Sequence, residues 1–359
     1  MFVAEVLGLS LGSLALSWVG AYVVTRRAGR GAPMDVPVAR SSHARPTVTG
    51  GGIGLALALC LSLLLISVFR HGHPQGEIGL FSVATVVVAA VGLWDVYRDP
   101  PGHWRLFLEL GAAGMVMGAG MGIYQFQMPW GPSFALWWAA VPLTLLWMTG
   151  VTNLYNFIDG VDGLASILGI VYASGIAVAA FTTGHPDEVL VALVVAAACL
   201  GFLWFNFPPA RVFMGDVGSL TLGFVFSVLA MRLSASSLRP VPLVFFLILY
   251  SSFLFDTSYT ILRRAFRGEE FWLAHRTHLY ERLNRIGWSH LHVTLLYLGL
   301  GLVSLLLALG YLRAGPAVRT ALVGLQLLIC AGQLVFVKAV EGSEYVLIHR
   351  RPKPTLKQQ

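Results

Sequence analysis

Four polar side chains lie close together in the stretch NLYNFIDGVDGLA, residues 153–165, between long apolar runs. They are Asn153, Asn156, Asp159 and Asp162. Carboxylate and amide oxygens are hard ligands that suit Mg²⁺ or Mn²⁺ better than zinc. The neighbouring glycines permit a tight turn that aims the carboxylates at one point. An ordinary polar loop is the alternative interpretation, but the alternation of Asn and Asp between aromatic residues favours a binding site.

Further acidic and basic residues occur in separate segments of the chain. The acids are Asp95 in WDVYRD, Asp216 in FMGDVGSL and Asp256 in LFDTSYTILRR, and the bases are concentrated in RSSHARPT and HRTHLYERLNR. Arginine binds phosphate oxygens through two parallel hydrogen bonds, and aspartates with substrate phosphates hold the divalent cation in phosphoryl transfer. The residue types therefore predict a site for a phosphorylated ligand with a divalent cation. For Asp256 the alternative is a structural role, as a cap or as a partner of Arg263 or Arg264.

The elements that must position these residues are membrane-spanning helices. Of the 359 residues, 57% are hydrophobic and 11% are charged, which leaves too much apolar surface for a soluble protein. About 20 apolar residues cross a bilayer core, and only a helix satisfies its own backbone hydrogen bonds there. We predict an all-α polytopic membrane protein, a single domain over residues 1–359, with about eleven transmembrane helices. The predicted spans are 3–24, 50–69, 78–97, 105–126, 135–155, 163–182, 188–206, 217–232, 240–262, 291–311 and 318–339.

The distribution of basic residues predicts the orientation of these spans. Most of the 24 Lys and Arg residues fall on one side, in loops such as 25–50 and 263–290 and in the C-terminal tail. By the positive-inside rule this side is cytosolic. The N-terminus is then outside, the C-terminus is cytosolic, and both loops contribute to an active site facing the cytosol. The net charge of +7 reflects this orientation, and we expect no nucleic-acid partner.

Two other features have structural interpretations. The run GGGIG at 50–54 is not followed by Lys-Ser/Thr, so it is not a phosphate-binding P-loop. It predicts close helix contact or a flexible helix start. The three cysteines, Cys60, Cys199 and Cys330, lie far apart in apolar spans, and this spacing indicates packing residues and not a metal site or a disulfide framework.

Three segments together resemble one enzyme family. They are DVPVARSSHARPTVTGGG, NLYNFIDGVDGLA, and Asn206 with FMGDVGSLTLG. In this order they are similar to the polyprenyl-phosphate N-acetylhexosamine-1-phosphate transferases, ten- or eleven-span enzymes that include the phospho-MurNAc-pentapeptide translocase. The resemblance implies transfer of a sugar-1-phosphate from a UDP-sugar to polyprenyl (undecaprenyl) phosphate, with release of UMP and a requirement for Mg²⁺, for which Mn²⁺ is a candidate substitute. It also implies a bacterial cytoplasmic (inner) membrane location, contact with membrane lipid, and a homodimer as a candidate assembly.

The resemblance implies roles for individual residues. Asp216 matches the family's metal-binding aspartate, and Asp95 matches a carboxylate beside the metal to which removal of a proton from the lipid phosphate is sometimes assigned. Asn206 and Phe213 match residues that contact the uracil, Phe213 by stacking. The expected catalytic residues are Asp95, Asp159, Asp162 and His278. The expected substrate-binding residues are Arg40, His43, Thr47, Arg105, Asn153, Asn156, Asn206, Phe213 and Arg276.

The chain departs from the family pattern at three places. Val96 replaces the second carboxylate of an Asp-Asp pair that begins with Asp95, and His103 stands where a basic residue, often Lys, is typical. In HRTHLYE, Tyr280 and Glu281 occupy positions where two histidines are expected. A related HR(S/T)HxY pattern is typical of the branch that starts O-antigen and similar surface polysaccharides, and this resemblance places the chain there. Some members of that branch use 6-deoxy UDP-sugars.

Two functions of other classes remain open. A transporter concentrates ionisable residues near the bilayer midplane and contains inverted repeats and broken helices, whereas the acids of this chain are predicted at one rim and the sequence shows no repeat. A catalytically silent membrane scaffold would tolerate the loss of the carboxylate and the histidines. UMP release that requires both polyprenyl phosphate and Mg²⁺ distinguishes the three classes.

Overall fold

The computed structural model describes residues 2–27, 33–36, 46–71, 76–98, 100–270 and 275–350. Within these ranges the chain forms thirteen α-helices and two small antiparallel sheets. The helices are α1 (Phe2–Arg26), α2 (Ile53–His71), α3 (Glu77–Arg98), α4 (Gly102–Gly118), α5 (Ala140–Asn156), α6 (Leu164–Thr183), α7 (Pro186–Asn206), α8 (Asp216–Ala235), α9 (Leu243–Leu249), α10 (Ser251–Phe266), α11 (Leu279–Arg285), α12 (His290–Arg313) and α13 (Pro316–Arg350). The sheets pair β1 (Met34–Asp35) with β2 (Thr47–Val48), and β3 (Gln125–Gln127) with β4 (Ser133–Ala135).

Eight helices in the described ranges are long and apolar enough to cross a membrane, and α9 with α10 counts as a ninth if the pair is one bent span. The expectation of an all-α polytopic membrane protein is thereby confirmed. Two further predicted spans, 105–126 and 135–155, correspond to α4 and α5, which have 17 residues each. At 1.5 Å per residue each would extend about 25 Å. The total of eleven spans and the assignment of sides stay predictions.

Two of the predicted spans, 105–126 and 240–262, are interrupted in the structure, each for a local reason. The span 105–126 ends early, at Gly118, because Gly120 adopts a left-handed conformation (φ +89°) that terminates a helix. The chain then enters the β3–β4 hairpin. The span 240–262 is broken, and α9 meets α10 at an angle of 81°. Between them Tyr250 has φ −89° and ψ 1°, outside the helical range, and this interrupts the helix.

Small residues let neighbouring helices approach closely. A Cβ on Gly201 of α7 would lie 2.4 Å from the carbonyl oxygen of Leu14 in α1, and a Cβ on Gly20 of α1 would lie 2.4 Å from the Cα of Gly54 in α2. Close packing of this kind holds helices together in lipid, where the hydrophobic effect between helices is absent. The most buried of the eight spans is α8, with 89% of its apolar window inside the protein. Its first residue is Asp216.

Candidate active site

Helix ends from four parts of the chain form an acidic cluster that consists of Asp95, Arg105, Asn156 and Asp216. The Arg105 guanidinium, at the start of α4, lies between two carboxylates, with Nη1 2.8 Å from Asp95 Oδ1 and Nη2 3.0 Å from Asp216 Oδ2. Asn156 Nδ2 donates to the same Asp216 oxygen at 3.3 Å, and its Oδ1 accepts a hydrogen bond from Ser219. The structure therefore brings together residues that are separated by up to 121 positions in the chain.

The loop before α8 is held by β2 and the segment that follows it. The Phe213 N–H donates to the Val48 carbonyl at 2.8 Å, and the Phe213 carbonyl accepts from the Gly51 N–H at 2.9 Å. A Cβ on Gly51 would lie 2.7 Å from the Val212 side chain, so only glycine permits this backbone contact. The GGGIG run thus serves close packing, one of the two predicted interpretations, and it holds the loop that leads into Asp216.

The acidic loop, defined as residues 157–163, connects α5 to α6. Asp162 is engaged within the protein, because its Oδ1 lies 2.9 Å from His290 Nδ1 and its Oδ2 accepts a backbone N–H from the loop after α7 at 2.9 Å. Asn206 is buried, and its Oδ1 accepts the Gly163 N–H at 2.9 Å while its Nδ2 donates to a backbone carbonyl at 3.0 Å. Both side chains brace the loop. Catalysis by Asp162 and uracil contact by Asn206 stay predictions.

Asp159 is half-buried at the turn of the acidic loop. Burial, together with the charges of Asp216 and Asp162, raises the pKa of Asp159 well above its usual range. Neighbouring carboxylates that repel one another in this way favour binding of a cation, and such perturbed groups are typical of functional sites. The oxygen atoms of Asp95, Asn156 and Asp216 are the ligand type that Mg²⁺ prefers. The residues present therefore fit a divalent cation.

The histidine segment, defined as residues 275–281, precedes and begins α11. His278 is 3% exposed and stacks on Phe157 of the acidic loop, with ring centroids 5.7 Å apart. Burial and three neighbouring basic side chains lower the pKa of His278 to about 3, so its ring is neutral at pH 7. Arg276 donates from Nη2 to Asn284 Oδ1 at 3.3 Å, and its Nε has no hydrogen-bond partner among the described residues. Arg276 therefore keeps donor capacity for an anion.

Three side chains of the histidine segment have the arrangement of metal ligands. The potential ligand atoms of His275, His278 and Glu281 lie within 4.8 Å of one another. Burial lowers the pKa of both histidines, to about 4 for His275, and Arg264 and Arg263 lower these pKa values further. The Asp256 carboxylate lies 3.8 Å from His278 Nδ1 and is outnumbered by the basic side chains around this segment. A positive field raises the energy of a bound dication. The charges therefore favour a cation at the acidic cluster and an anion at the histidine segment.

One buried acid was missed by sequence reasoning. Glu109, one turn after Arg105 on α4, is 1% exposed and accepts a hydrogen bond from Asn153 Nδ2. Asn153 also donates to the Thr149 carbonyl at 2.9 Å, so this expected substrate ligand is engaged within the protein. The signal was present as a glutamate inside the apolar run RLFLELGAAG, because ionisable residues within a span are functional candidates.

The remaining predicted substrate ligands occupy the first loop and the loop before α8. Thr47 lies in β2 opposite Asp35, and Phe213 is half-buried beside the acidic cluster's Asp216. Arg40 and His43 lie outside the described residues. Their roles stay predictions.

Comparisons with known proteins agree with this chemistry. The family model described as glycosyl transferase family 4 matches residues 78–234, which contain the acidic cluster and the acidic loop. Over 278 residues the chain is 32% identical to the probable undecaprenyl-phosphate N-acetylglucosaminyl 1-phosphate transferase of Bacillus subtilis, with 77% of this chain and 76% of the relative covered.

Two further relatives have related names. The chain is 34% identical over 196 residues, 50% of each chain, to the phospho-N-acetylmuramoyl-pentapeptide-transferase of Thermosynechococcus vestitus. It is 28% identical over 357 residues to the decaprenyl-phosphate N-acetylglucosaminephosphotransferase of Mycobacterium tuberculosis, with 84% of this chain and 87% of the relative covered. The order of the motifs, the acidic cluster and these similarities lead to one conclusion: the chain belongs to glycosyl transferase family 4, together with polyprenyl-phosphate sugar-1-phosphate transferases.

Proposed function

We propose that this chain transfers an N-acetylhexosamine-1-phosphate from a UDP-sugar to polyprenyl phosphate and releases UMP. The observation that carries the proposal is the Arg105 guanidinium between Asp95 and Asp216, with Asn156 on the same Asp216 oxygen. The names of the relatives, which act on undecaprenyl or decaprenyl phosphate, support the acceptor. A transporter is not favoured, because the ionisable residues of the acidic cluster lie at helix ends and not at mid-span.

The proposed reaction is a single in-line displacement at phosphorus. An oxygen of the lipid phosphate attacks the β-phosphorus of the UDP-sugar and forms a new P–O bond. The bond from that phosphorus to the bridging oxygen breaks, and UMP leaves with the electron pair. A phosphate monoester with a second pKa of about 6 is mostly dianionic at neutral pH. The attacking oxygen therefore needs no general base, and we assign Asp95 to binding.

The carboxylates of the acidic cluster would bind the cation, and arginines of the acidic cluster and of the histidine segment would bind phosphate. Asp216 and Asp95 would hold Mg²⁺ or Mn²⁺, whose charge offsets that of the diphosphate and of the departing UMP. Asn156 fixes the orientation of the Asp216 carboxylate by its hydrogen bond. Arg105 and Arg276 offer guanidinium donors to phosphate oxygens. Arg105 already contacts Asp216, and Arg276 already contacts Asn284.

The donor sugar and the cellular setting are the finer parts of the proposal. N-acetylglucosamine is the first candidate, because two of the relatives are named for it. A 6-deoxy N-acetylhexosamine and the O-antigen branch are the second candidate, supported by the HR(S/T)HxY pattern at residues 275–280. The basic loops support a position in the bacterial cytoplasmic membrane with the acidic cluster toward the cytosol.

A substrate screen tests the proposal. Purified protein is incubated with undecaprenyl phosphate, MgCl₂ and one of UDP-GlcNAc, UDP-GalNAc, UDP-FucNAc or UDP-QuiNAc, and both UMP and lipid-linked sugar are measured. We expect equal amounts of UMP and lipid product from at least one donor. Reactions without lipid, or with EDTA in place of MgCl₂, serve as controls and should release no UMP. Folded protein that yields no lipid product from any of the four donors would contradict the proposal.

A further inference from the structure

Tyr280 replaces an expected histidine and connects two segments of the site. It is 1% exposed, and its hydroxyl donates to the carbonyl oxygen of Phe157, the first residue of the acidic loop, at 2.8 Å. Gly160 in the same loop faces this hydroxyl so closely that a Cβ would lie 2.3 Å from it. The phenol therefore occupies space that exists only because residue 160 is glycine.

The backbone of Tyr280 is fixed from its other side by Asp256 of α10. This fully buried carboxylate accepts the Leu279 N–H at 2.6 Å, the Tyr280 N–H at 3.1 Å and the Tyr297 hydroxyl. Gln333 of α13 donates to Tyr297 at 2.9 Å. Asp256 thus has the capping role that was one of its two predicted structural alternatives. A continuous set of buried hydrogen bonds runs from α13 and α12 through Asp256 to Tyr280.

The second replaced position, Glu281, holds the histidine segment internally. Its carboxylate, 7% exposed, accepts the His278 N–H at 3.3 Å. The His278 ring stacks with both Phe157 and Tyr280, at centroid distances of 5.7 and 5.8 Å. Of the two departures from the family pattern, Tyr280 bonds the acidic loop and Glu281 fixes the histidine segment internally.

We infer that Tyr280 is a positioning residue whose hydroxyl fixes the acidic loop against the histidine segment and, through Phe157, keeps Asn156 on Asp216. The effect on turnover rests on the proposed function, whereas the effect on the loop does not. Because imidazole is shorter than phenol, a histidine at position 280 would not reach the Phe157 carbonyl. The interaction is thus a property of this chain's own residues and not of the histidine signature.

Tyr280→Phe removes only the hydroxyl and is compared with Tyr172→Phe. Tyr172 is equally buried, and its hydroxyl bonds Ser252 at 2.6 Å in the middle of the bundle, so it controls for the loss of one buried hydrogen bond. In Tyr280→Phe we expect faster deuterium exchange in peptides that cover residues 153–165. We also expect kcat to fall by about 10- to 100-fold, because small displacements of aligned groups are costly, with the KM for the UDP-sugar changed by less than about twofold. Tyr280→His should behave like Tyr280→Phe.

Unchanged exchange at 153–165 in Tyr280→Phe, or a kcat equal to that of Tyr172→Phe, would overturn the inference. Full activity of Tyr280→His would do the same, since it would show that the phenol contact is dispensable. If the unaltered protein has no transferase activity, the proposed function fails, and the exchange measurement alone decides the inference. Asp256→Asn provides a second variant, expected to increase exchange at both the histidine segment and the acidic loop.

Discussion

Both ends of the helix bundle carry arginines between carboxylates, but they satisfy these charges differently. At the end away from the acidic cluster, Arg70 of α2 bonds Glu5 at 2.6 Å and Asp187 at 2.7 Å. Arg232 of α8 bonds Glu188 at 2.7 Å and a second glutamate at 3.1 Å. These contacts join the starts of α1, α3 and α7 to the ends of α2 and α8, and each of the carboxylates has an arginine partner.

At the end that carries the acidic cluster, ion pairs occur beside charged groups that are only partly satisfied within the protein. Arg105 is shared by Asp95 and Asp216, as each arginine at the opposite end is shared by two acids. The difference lies in the neighbouring half-buried Asp159, whose pKa is raised by burial and by the charges of Asp216 and Asp162. Among the described residues, buried guanidinium nitrogens without a hydrogen-bond partner occur at this end in Arg263, Arg264, Arg276 and Arg282. Ion pairs hold helices together at the opposite end, whereas the raised pKa of Asp159 and the unpartnered guanidinium nitrogens leave capacity for a charged ligand at the end with the acidic cluster.

The largest effect is expected from Asp216→Asn, which removes a charge that the proposed cation site requires. We expect kcat for lipid-linked product to fall by roughly 10³-fold, the scale for loss of one strong electrostatic contact in a transition state. Product formation with radiolabelled UDP-sugar measures it. Glu188→Gln at the opposite end serves as the matched control and should keep kcat within about twofold. Equal losses in both variants would remove the distinction between the two ends.

Arg105→Lys keeps the positive charge beside Asp95 and Asp216 but removes the forked geometry of the guanidinium. A lysine cannot bond Asp95 and Asp216 bidentately as the guanidinium does, so we expect kcat/KM to fall by about 10- to 100-fold. Arg70→Lys makes the same change at the opposite end and should leave kcat/KM nearly unchanged. Wild-type kinetics in Arg105→Lys would show that Arg105 supplies charge alone.

Glu188→Gln should act on stability and not on catalysis. The Glu188 side chain is 7% exposed and its partner Arg232 is 11% exposed, so the substitution leaves a nearly buried guanidinium with one exposed glutamate. Breaking a buried ion pair costs about 3 kcal/mol, and we expect a clearly lower unfolding temperature in detergent. Asp95→Asn, measured in the same way, should shift the unfolding temperature less, because the Asp95–Arg105 pair is more exposed. A larger shift of the unfolding temperature in Asp95→Asn than in Glu188→Gln would contradict the structural role assigned to the ion pairs at the opposite end.

The smallest effect concerns the pH dependence of stability. Burial lowers the pKa of His278 from 6.5 to about 3, so between these values the unfolded chain binds a proton that the folded protein does not. Stability from this group is therefore complete above pH 6.5 and declines as the pH falls toward 3. His278→Gln should flatten the decline of the unfolding temperature between pH 7 and 4. The exposed His103→Gln controls for loss of an imidazole, and identical slopes in both variants would exclude this contribution.

Part of the site could be predicted because its residues carry chemical meaning without coordinates. Asp216 after FMG and Asn156 in NFIDG are hard-ligand side chains placed next to glycines and apolar spans, and the structure brings both together with Asp95. The spans were visible because apolar length is a strong signal in a membrane protein. The GGGIG run was understood only in part, since its contact with the loop before α8 depends on packing between distant segments.

The rest depends on distances that a linear pattern does not contain. The contacts of Glu109 with Asn153, of Asp162 with His290 and of Tyr280 with Phe157 join residues 44, 128 and 123 positions apart. The first two contacts change the interpretation of Asn153 and Asp162 from free ligands to side chains engaged within the protein. The break at Tyr250 was missed for a similar reason, because α9 and α10 are as apolar together as one continuous span.

The proposed cation site at Asp216 and Asp95 is tested by binding of Mn²⁺, a paramagnetic substitute for Mg²⁺. Free Mn²⁺ is measured by electron paramagnetic resonance as it is titrated into purified protein with UDP present, for the unaltered chain and for Asp216→Asn, Asp95→Asn, His278→Gln and Glu188→Gln. We expect one Mn²⁺ site that is lost or strongly weakened in the two aspartate variants and kept in the other two. Undiminished Mn²⁺ binding by Asp216→Asn, or loss of the site in His278→Gln alone, would contradict the proposed site.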